Sequence, residues 1–153
     1  MPNTYSQIYL HIIFAVKGRE SVIGVKWEEE LYKYITGIVQ NKGNKMLAIN
    51  GMPDHIHFVI GYNPNVKIPD LVREIKKASN KFIKEKKFVR SNFQWQEGYG
   101  VFSYSKSGLD SVIKYVRNQK EHHRKKTFRE EYTAFLNKFE VDFSDEYLFV
   151  FLD

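Results

Sequence analysis

Apolar side chains alternate at period two across residues 5–16, where Ile8, Leu10, Ile12 and Phe14 share one face. His11 and Ile13 fall on the other face, so the pattern predicts a strand covered on both sides, ended by Gly18. Over residues 26–41 the spacing becomes helical, with Trp27, Leu31, Tyr34, Ile35 and Ile38 on one side and Gly43 as the stop. Residues 45–50 and 54–62 predict two strands joined by a tight turn at Gly51-Met52-Pro53. Ile68, Leu71, Val72, Ile75, Phe82 and Ile83 mark a second helix that begins near Pro69-Asp70 and reaches Lys87. Its opposite face carries Arg73, Lys76, Lys77, Lys81 and Lys84. The aromatic-rich residues 93–104 predict a fourth strand, broken or bulged at Gly98 and Gly100. A third helix follows Ser107-Gly108 and runs to about Lys125, and Thr127 caps a short fourth helix through Phe139. Apolar residues 147–152 predict a small edge strand or a docking segment.

The order β-α-β-β-α-β followed by two helices is the split βαβ, ferredoxin-like (RRM-like) arrangement of the α+β class. It has an antiparallel sheet with two helices on one face. The other face is left for a ligand or for the appended helix. No linker or repeat divides the chain, so residues 1–153 are expected to form one domain, with a core over 1–105 and a C-terminal region over 106–153.

The chain has 153 residues and no cysteine, which excludes disulfides, thiolate metal sites and a thiol nucleophile. No apolar run approaches the ~20 residues of a membrane span, so a soluble cytoplasmic protein with no membrane partner is expected. The formal net charge of +6 is unevenly spread. Residues 67–129 carry 17 basic and 6 acidic side chains, or +11, whereas residues 130–153 carry one basic and seven acidic, or −6. Such asymmetry fits either a polyanionic partner, nucleic acid first, or simply solvated helix faces.

His55 and His57, two apart on a predicted strand, project from one face while Ile56, Phe58 and Ile60 point into the helix-covered core. Two imidazoles so placed can bind a divalent metal, although on spacing alone such a pair is more often incidental than a metal site. On the third helix Leu109, Val112, Ile113 and Val116 form the apolar stripe, and Tyr115 and Gln119 share a flank one turn apart. Taken singly, that tyrosine reads as packing and that glutamine as solvated.

The segment Met52-Pro53-Asp54-His55-Ile56-His57-Phe58 has the form of the HUH motif, and Tyr115-Val116-Arg117-Asn118-Gln119 that of a nucleophile helix. Together with Trp95-Gln96-Glu97-Gly98-Tyr99-Gly100-Val101-Phe102-Ser103 and the tract from Asn118 to Lys125, they resemble the single-tyrosine HUH transposases of small bacterial insertion sequences. Relatives associated with repeated palindromes are included. The resemblance covers most of the chain, and the three motifs in this order are far more specific than the histidine pair alone.

It implies that His55, His57 and Gln119 hold one Mg²⁺ or Mn²⁺ and that Tyr115 is the nucleophile. It also implies cleavage and strand transfer of single-stranded DNA through a covalent 5′-phosphotyrosine, recognition of hairpins at element ends, and a homodimer with active sites shared between subunits. Phosphate contacts are then expected from Lys17, Arg19, Arg73, Lys77, Lys81, Arg117, Arg124 and Lys125, beside a strand lying over the histidine pair. Tyr99 and Tyr104 could stack on bases or pack in the sheet. His122, on the Tyr115 flank, reads first as a solvated histidine of the basic stretch and second as a neighbour of the metal or phosphate, His123 beside it is given no role, and His11 reads as a buried, hydrogen-bonded histidine rather than a ligand. The rival readings are a non-catalytic nucleic-acid-binding module on the same fold and a domesticated relative that binds DNA without transposing it. A binding module would expose aromatics where this third strand exposes histidines.

Overall fold

A computed structural model describes residues 5–17, 22–89, 92–122 and 126–143. The chain forms β1 (Tyr9–Ala15), α1 (Glu28–Asn41), β2 (Lys45–Met52), β3 (His55–Gly61), α2 (Ile68–Glu85), β4 (Gly100–Tyr104), α3 (Lys106–Arg117), α4 (Gln119–His122) and α5 (Phe128–Lys138). The strands form one antiparallel sheet in the order β2-β3-β1-β4, the α+β arrangement read from the alternation.

The period-two pattern assigns the two faces. Leu10, Ile12 and Phe14 of β1 and Ile56, Phe58 and Ile60 of β3 join Leu31 and Ile35 of α1 and Leu71 and Ile75 of α2 in the main core. Ile12, Phe14, Ile56, Phe58 and Ile60 have no exposed surface, and full burial of such side chains stabilises by roughly 1.5–3 kcal/mol each. On the other face Ala48 and Val59 pack against Leu109, Val112 and Val116 of α3. Phe102 of β4 packs against Tyr132, Phe135 and Phe139 in and just beyond α5. The sheet is therefore the middle of three layers, and β1, next to both β3 and β4, is buried on both sides.

The hairpin that carries the histidines is tighter than the sequence suggests. Gly51 and Met52 still pair with Ile56 and His55, so the turn is Pro53-Asp54 alone. A Cβ on Gly51 would meet the His55 carbonyl oxygen at 2.4 Å, so only glycine permits that approach. The turn is fixed from outside as well. Val16 N–H donates to the Asp54 carbonyl at 2.9 Å, and Val22 and Ile23 donate to that of Pro53 at 3.1 and 2.9 Å.

Two expected elements are shorter in the structure. β4 begins only at Gly100, because Gly98 sits at φ +91°, and among the described residues only Trp95 of the preceding stretch bridges, to Val16. That stretch is anchored on α2 instead. The Trp95 indole donates to Ser79 Oγ at 2.9 Å, and Lys76 Nζ donates to the carbonyls of Gln96 and Gly98 at 2.8 and 2.7 Å. Burial holds the Lys76 ammonium down at about 8, against the pull of Glu97.

The third helix does not run unbroken to Lys125. It ends at Arg117, whose carbonyl accepts from Asn50 Nδ2 of β2 at 2.9 Å, and resumes as α4 after Asn118. Lys120 of α4 reaches Glu28 Oε2 and the Gly51 carbonyl, both at 3.1 Å, so the short helix is tied to α1 and β2. Gly108 lies inside the first turn of α3 rather than before it. α5 starts at the expected place, with Thr127 and Glu130 in a reciprocal capping box. Residues 147–152 lie outside the described residues. No described helix is long and apolar enough to cross a membrane.

Candidate active site

His55 and His57 sit at alternate positions of β3 on the sheet face that α3 and α5 cover, and neither has exposed surface. His55 Nδ1 lies 2.7 Å from Asp54 Oδ1 of the hairpin turn, and its ring stacks on Phe128 of α5 with centroids 3.8 Å apart. His57 is held at both nitrogens. Its Nδ1 is 2.9 Å from Nε2 of His11 on β1, and its Nε2 is 3.0 Å from Glu131 Oε1 of α5.

Glu131 is the hub of the site. Its Oε2 accepts from the Tyr115 hydroxyl and from Gln119 Nε2, the latter at 3.1 Å, while His55 Nε2 stands 3.5 Å from Oε1. The Tyr115 ring meets His57 edge-on with centroids 6.0 Å apart. Tyr115 and Gln119 stay neighbours although the helix between them breaks, because Asn50 and Lys120 fix both sides of the break. The tyrosine, the glutamine and both histidines, singled out in separate parts of the sequence, thus meet within one chain.

The electrostatics follow from burial against pairing. Burial pushes the Glu131 carboxyl up, but the charge of His57 and hydrogen bonds from both histidines outweigh it and hold the group at about 2. Burial pushes His55 down, and its bonds to Asp54 and Glu131 reverse that, so it lies above the usual histidine value. His11 is driven well below that value by burial and by His57 beside it, against the pull of Glu131, and stays neutral.

The donor set suits a divalent cation. Ligand atoms of His55, His57 and Glu131 all lie within 4.8 Å of one another. Gln119 Oε1 is buried and accepts no hydrogen bond among the described residues, so it too is an available oxygen donor. Two imidazole nitrogens, one carboxylate and one amide oxygen are borderline and hard ligands of the kind that hold Mg²⁺ or Mn²⁺.

Glu131 was not singled out from the sequence, where it stands within the acidic tail. A signal was present. Phe128, Glu131, Tyr132, Phe135 and Leu136 share one face of α5, so a carboxylate interrupts an apolar stripe. His11 is buried as expected, but its hydrogen bond goes to His57, and its Nδ1 has no partner among the described residues.

The expected phosphate-contact residues divide between the layers. Arg117 is exposed at the end of α3, on the site's side of the sheet, and exposed Lys17 follows β1, bonded to Gln94 Oε1 at 3.1 Å. Arg73, Lys77 and Lys81 are exposed on α2, which packs against the opposite face, where Arg73 pairs with Asp70 and Lys81 with Glu85. They do not border a strand lying over the histidine pair, because the sheet stands between. Tyr104 is half-buried against His11 and Phe139, and burial raises its hydroxyl to about 12. Tyr99 is partly buried against the core. Arg19, His123, Arg124, Lys125 and the side chain of His122 lie outside what the structure describes.

The fold is thus a four-stranded antiparallel sheet that presents a histidine pair to a tyrosine helix, and comparison with known proteins supplies the family. Residues 4–119 match the IS200-like transposase family, and the chain belongs to that family. The matched span contains Tyr115, both histidines and Gln119 and ends before Glu131. The chain is 25% identical over 118 residues to the ISDra2 transposase TnpA of Deinococcus radiodurans, covering 74% of this chain and 84% of that protein. A crystal structure of a transposase from Deinococcus radiodurans R1 superposes with a TM-score of 0.63 at 24% identity, over 78% of this chain and 95% of that one. A tyrosine transposase solved bound to a REP hairpin superposes with a TM-score of 0.60 at 15% identity, over 80% and 73%.

Proposed function

We propose that the chain is a metal-dependent enzyme that nicks and rejoins single-stranded DNA through a covalent 5′-phosphotyrosine on Tyr115. The observation that carries this reading is the convergence of Tyr115, His55, His57 and Gln119 on the Glu131 carboxylate in a single chain. A tyrosine packed only for stability does not need to be aimed at a buried histidine–carboxylate cluster.

The residues divide the work. His55, His57, Gln119 and Glu131 would hold the divalent cation, which when bound neutralises the non-bridging oxygens of the scissile phosphate. Glu131 Oε2 orients the Tyr115 hydroxyl. Attack by the phenolic oxygen forms the Tyr115–phosphorus bond and breaks the phosphorus–O3′ bond, and the phenol proton is balanced by protonation of the released 3′ oxygen. Attack by a 3′ hydroxyl from another strand reverses the step, with no nucleotide triphosphate required. The histidines and Gln119 are buried and Tyr115 is half-buried, so the strand arrives from the tyrosine side.

The likeness to a tyrosine transposase solved bound to a REP hairpin supports hairpin-bearing DNA as the substrate. Arg117 and Lys17 are placed to contact phosphates near the site, and Arg73, Lys77 and Lys81 could reach only DNA that passes to the far layer. The tyrosine hydroxyl bonds the glutamate that bonds its own chain's His57, which favours a site complete in one chain over one shared between subunits of a homodimer.

The test is incubation with end-labelled hairpin DNA and Mn²⁺, followed by denaturing electrophoresis. A covalent adduct formed by the wild type and lost in Tyr115→Phe is expected. Persistence of the adduct in Tyr115→Phe removes the nucleophile assignment, and hairpin binding without any cleavage favours a non-catalytic binding protein.

A further inference from the structure

We infer that Glu28 and Lys120 are positioning residues for Gln119: with Asn50 they clamp the break between α3 and α4, so that the Gln119 amide oxygen stays within the buried cluster as a metal ligand. This inference rests on the metal reading above.

Gln119 stands where the helix has just been interrupted, as the first residue of a single-turn segment. A long amide side chain there has many conformers open to it. In the fold it nevertheless has no exposed surface, and its Oε1 is buried without a hydrogen-bond partner among the described residues. Burying an amide oxygen in that way is unfavourable, so the main chain that carries it has to be held in place from outside.

The neighbours of Gln119 supply the hold. Asn50, directly opposite His57 in the β2–β3 pairing, donates through Nδ2 to the Arg117 carbonyl at 2.9 Å. On the other side of Gln119, Lys120 Nζ meets three acceptors, one for each ammonium proton. They are Glu28 Oε2 and the Gly51 carbonyl, both at 3.1 Å, and Asn50 Oδ1 at 3.4 Å. The strand residue that faces one proposed ligand, His57, thus fixes the main chain on both sides of another.

Glu28 extends the hold to the opposite layer. It opens α1, which packs on the far face of the sheet, and it is buried although charged. Its Oε2 also accepts from the Tyr32 hydroxyl at 3.2 Å. The pair with Lys120 therefore closes around the edge strand β2 and ties α4 to α1. The Lys120 side chain is 45% exposed, and a lysine that open to water gains little from a single surface ion pair. Three fixed acceptors, one of them a buried carboxylate, make it a strut instead.

Charge alone predicts the opposite outcome for Lys120. A cation next in sequence to a ligand of a cation repels it through space, so its removal would tighten metal binding. Acting through Gln119, its removal loosens binding, because a ligand free to turn away holds the metal less well. The two readings differ in sign.

The test uses the full chain without DNA. Mn²⁺ affinity is measured by titration calorimetry for wild type, Lys120→Met, Lys120→Arg, Gln119→Ala, the Lys120→Met and Gln119→Ala double variant, and His55→Ala. Urea unfolding in chelator checks that each is folded. Lys120→Met should weaken Mn²⁺ binding about 10–100-fold, and Lys120→Arg, which keeps the charge and donors, should lose much less. In the Gln119→Ala background Lys120→Met should cause no further loss, since the side chain it positions is gone. A loss of equal size in both backgrounds, or binding by Lys120→Met as tight as wild type or tighter while His55→Ala loses it, refutes the clamp and leaves the metal reading standing. Undiminished binding by Gln119→Ala refutes it too, because there is then no ligand to position. If the wild type binds no Mn²⁺, or His55→Ala binds it undiminished, the metal reading fails and this inference with it. Should Lys120→Met not fold, Glu28→Gln is read in the same two backgrounds: a loss that disappears with Gln119→Ala supports the clamp, and an equal loss in both, or none, overturns it.

Discussion

Replacing Glu131 by glutamine keeps the shape of the side chain and removes its charge, so it mimics the protonated carboxyl. In the fold that carboxyl is 4% exposed and held at about 2, against an ordinary value of 4.5. A displacement of that size corresponds to roughly 3 kcal/mol of preference for the ionised form in the folded state, at 1.36 kcal/mol per pH unit. The hydrogen bonds give a similar scale. His57 Nε2, Gln119 Nε2 and the Tyr115 hydroxyl all lose a charged acceptor, and bonds to charged groups contribute about 1.5–3 kcal/mol each, part of which an amide oxygen replaces. Glu131→Gln should therefore be less stable than wild type by ~3 kcal/mol at pH 7, measured by urea unfolding in the presence of chelator. In thermal melts that is roughly 6–12 °C for a chain of this size. The sign of the pH dependence is fixed. Because the folded value is depressed, the contribution is present in full above the unfolded value near 4.5 and is lost as pH falls toward 2. The gap between wild type and variant should close across that window. A difference below about 1 kcal/mol at pH 7, or one that stays constant down to pH 2, would refute Glu131 as the ionised hub of the site.

Further outcomes follow from the same geometry. On the proposed reading, in which each tyrosine serves the histidines of its own chain, mixing Tyr115→Phe with His57→Ala should not restore covalent adduct formation; restored adduct would mean that subunits share sites. Exchanging Arg73, Lys77 and Lys81 together for alanine should leave cleavage of a short unstructured strand unchanged, since α2 is across the sheet. If the hairpin stem reaches that layer, the slope of log affinity against log salt should fall by roughly 0.7–0.9 for each phosphate that these side chains neutralise, and an unchanged slope would exclude α2 from the interface. Lys76→Met removes the donor to the Gln96 and Gly98 carbonyls and should cost about 1–2 kcal/mol, with a red shift of Trp95 emission; unchanged fluorescence and stability would show that the lysine does not hold this segment.

The parts of the fold that were legible in the sequence are those set by local periodicity. Alternation in β1 and β3 assigned Ile12, Phe14, Ile56 and Phe58 to the core and turned His55 and His57 to the opposite face, and the order of elements along the chain pointed to the antiparallel sheet. What could not be read depends on partners distant in the chain. α3 ends at Arg117 because Asn50 and Lys120 act on it from other elements, and β4 starts late because Lys76 and Ser79 draw the preceding segment onto α2. The same holds at the site. Tyr115, Gln119 and the histidines could be named from motif form, whereas Glu131 and the pairing of His11 with His57 arise only when α5 and β1 are brought to one sheet face. The basic stretch is the instructive case. Basic side chains of both helices were expected beside one strand lying over the histidine pair, but α2 and α3 pack on opposite faces of the sheet, so their charge is divided between two layers.

The central claim, that Tyr115 takes up the DNA strand through the phosphorus of a cleaved phosphodiester, is tested most directly by mapping the adduct. After reaction with hairpin DNA and Mn²⁺, nuclease and protease digestion followed by mass spectrometry should find a 5′-phosphodeoxynucleotide on the peptide containing Tyr115, with the modification on that side chain. An adduct mapped to another residue, or cleaved DNA with no protein attached to its 5′ end, would contradict it.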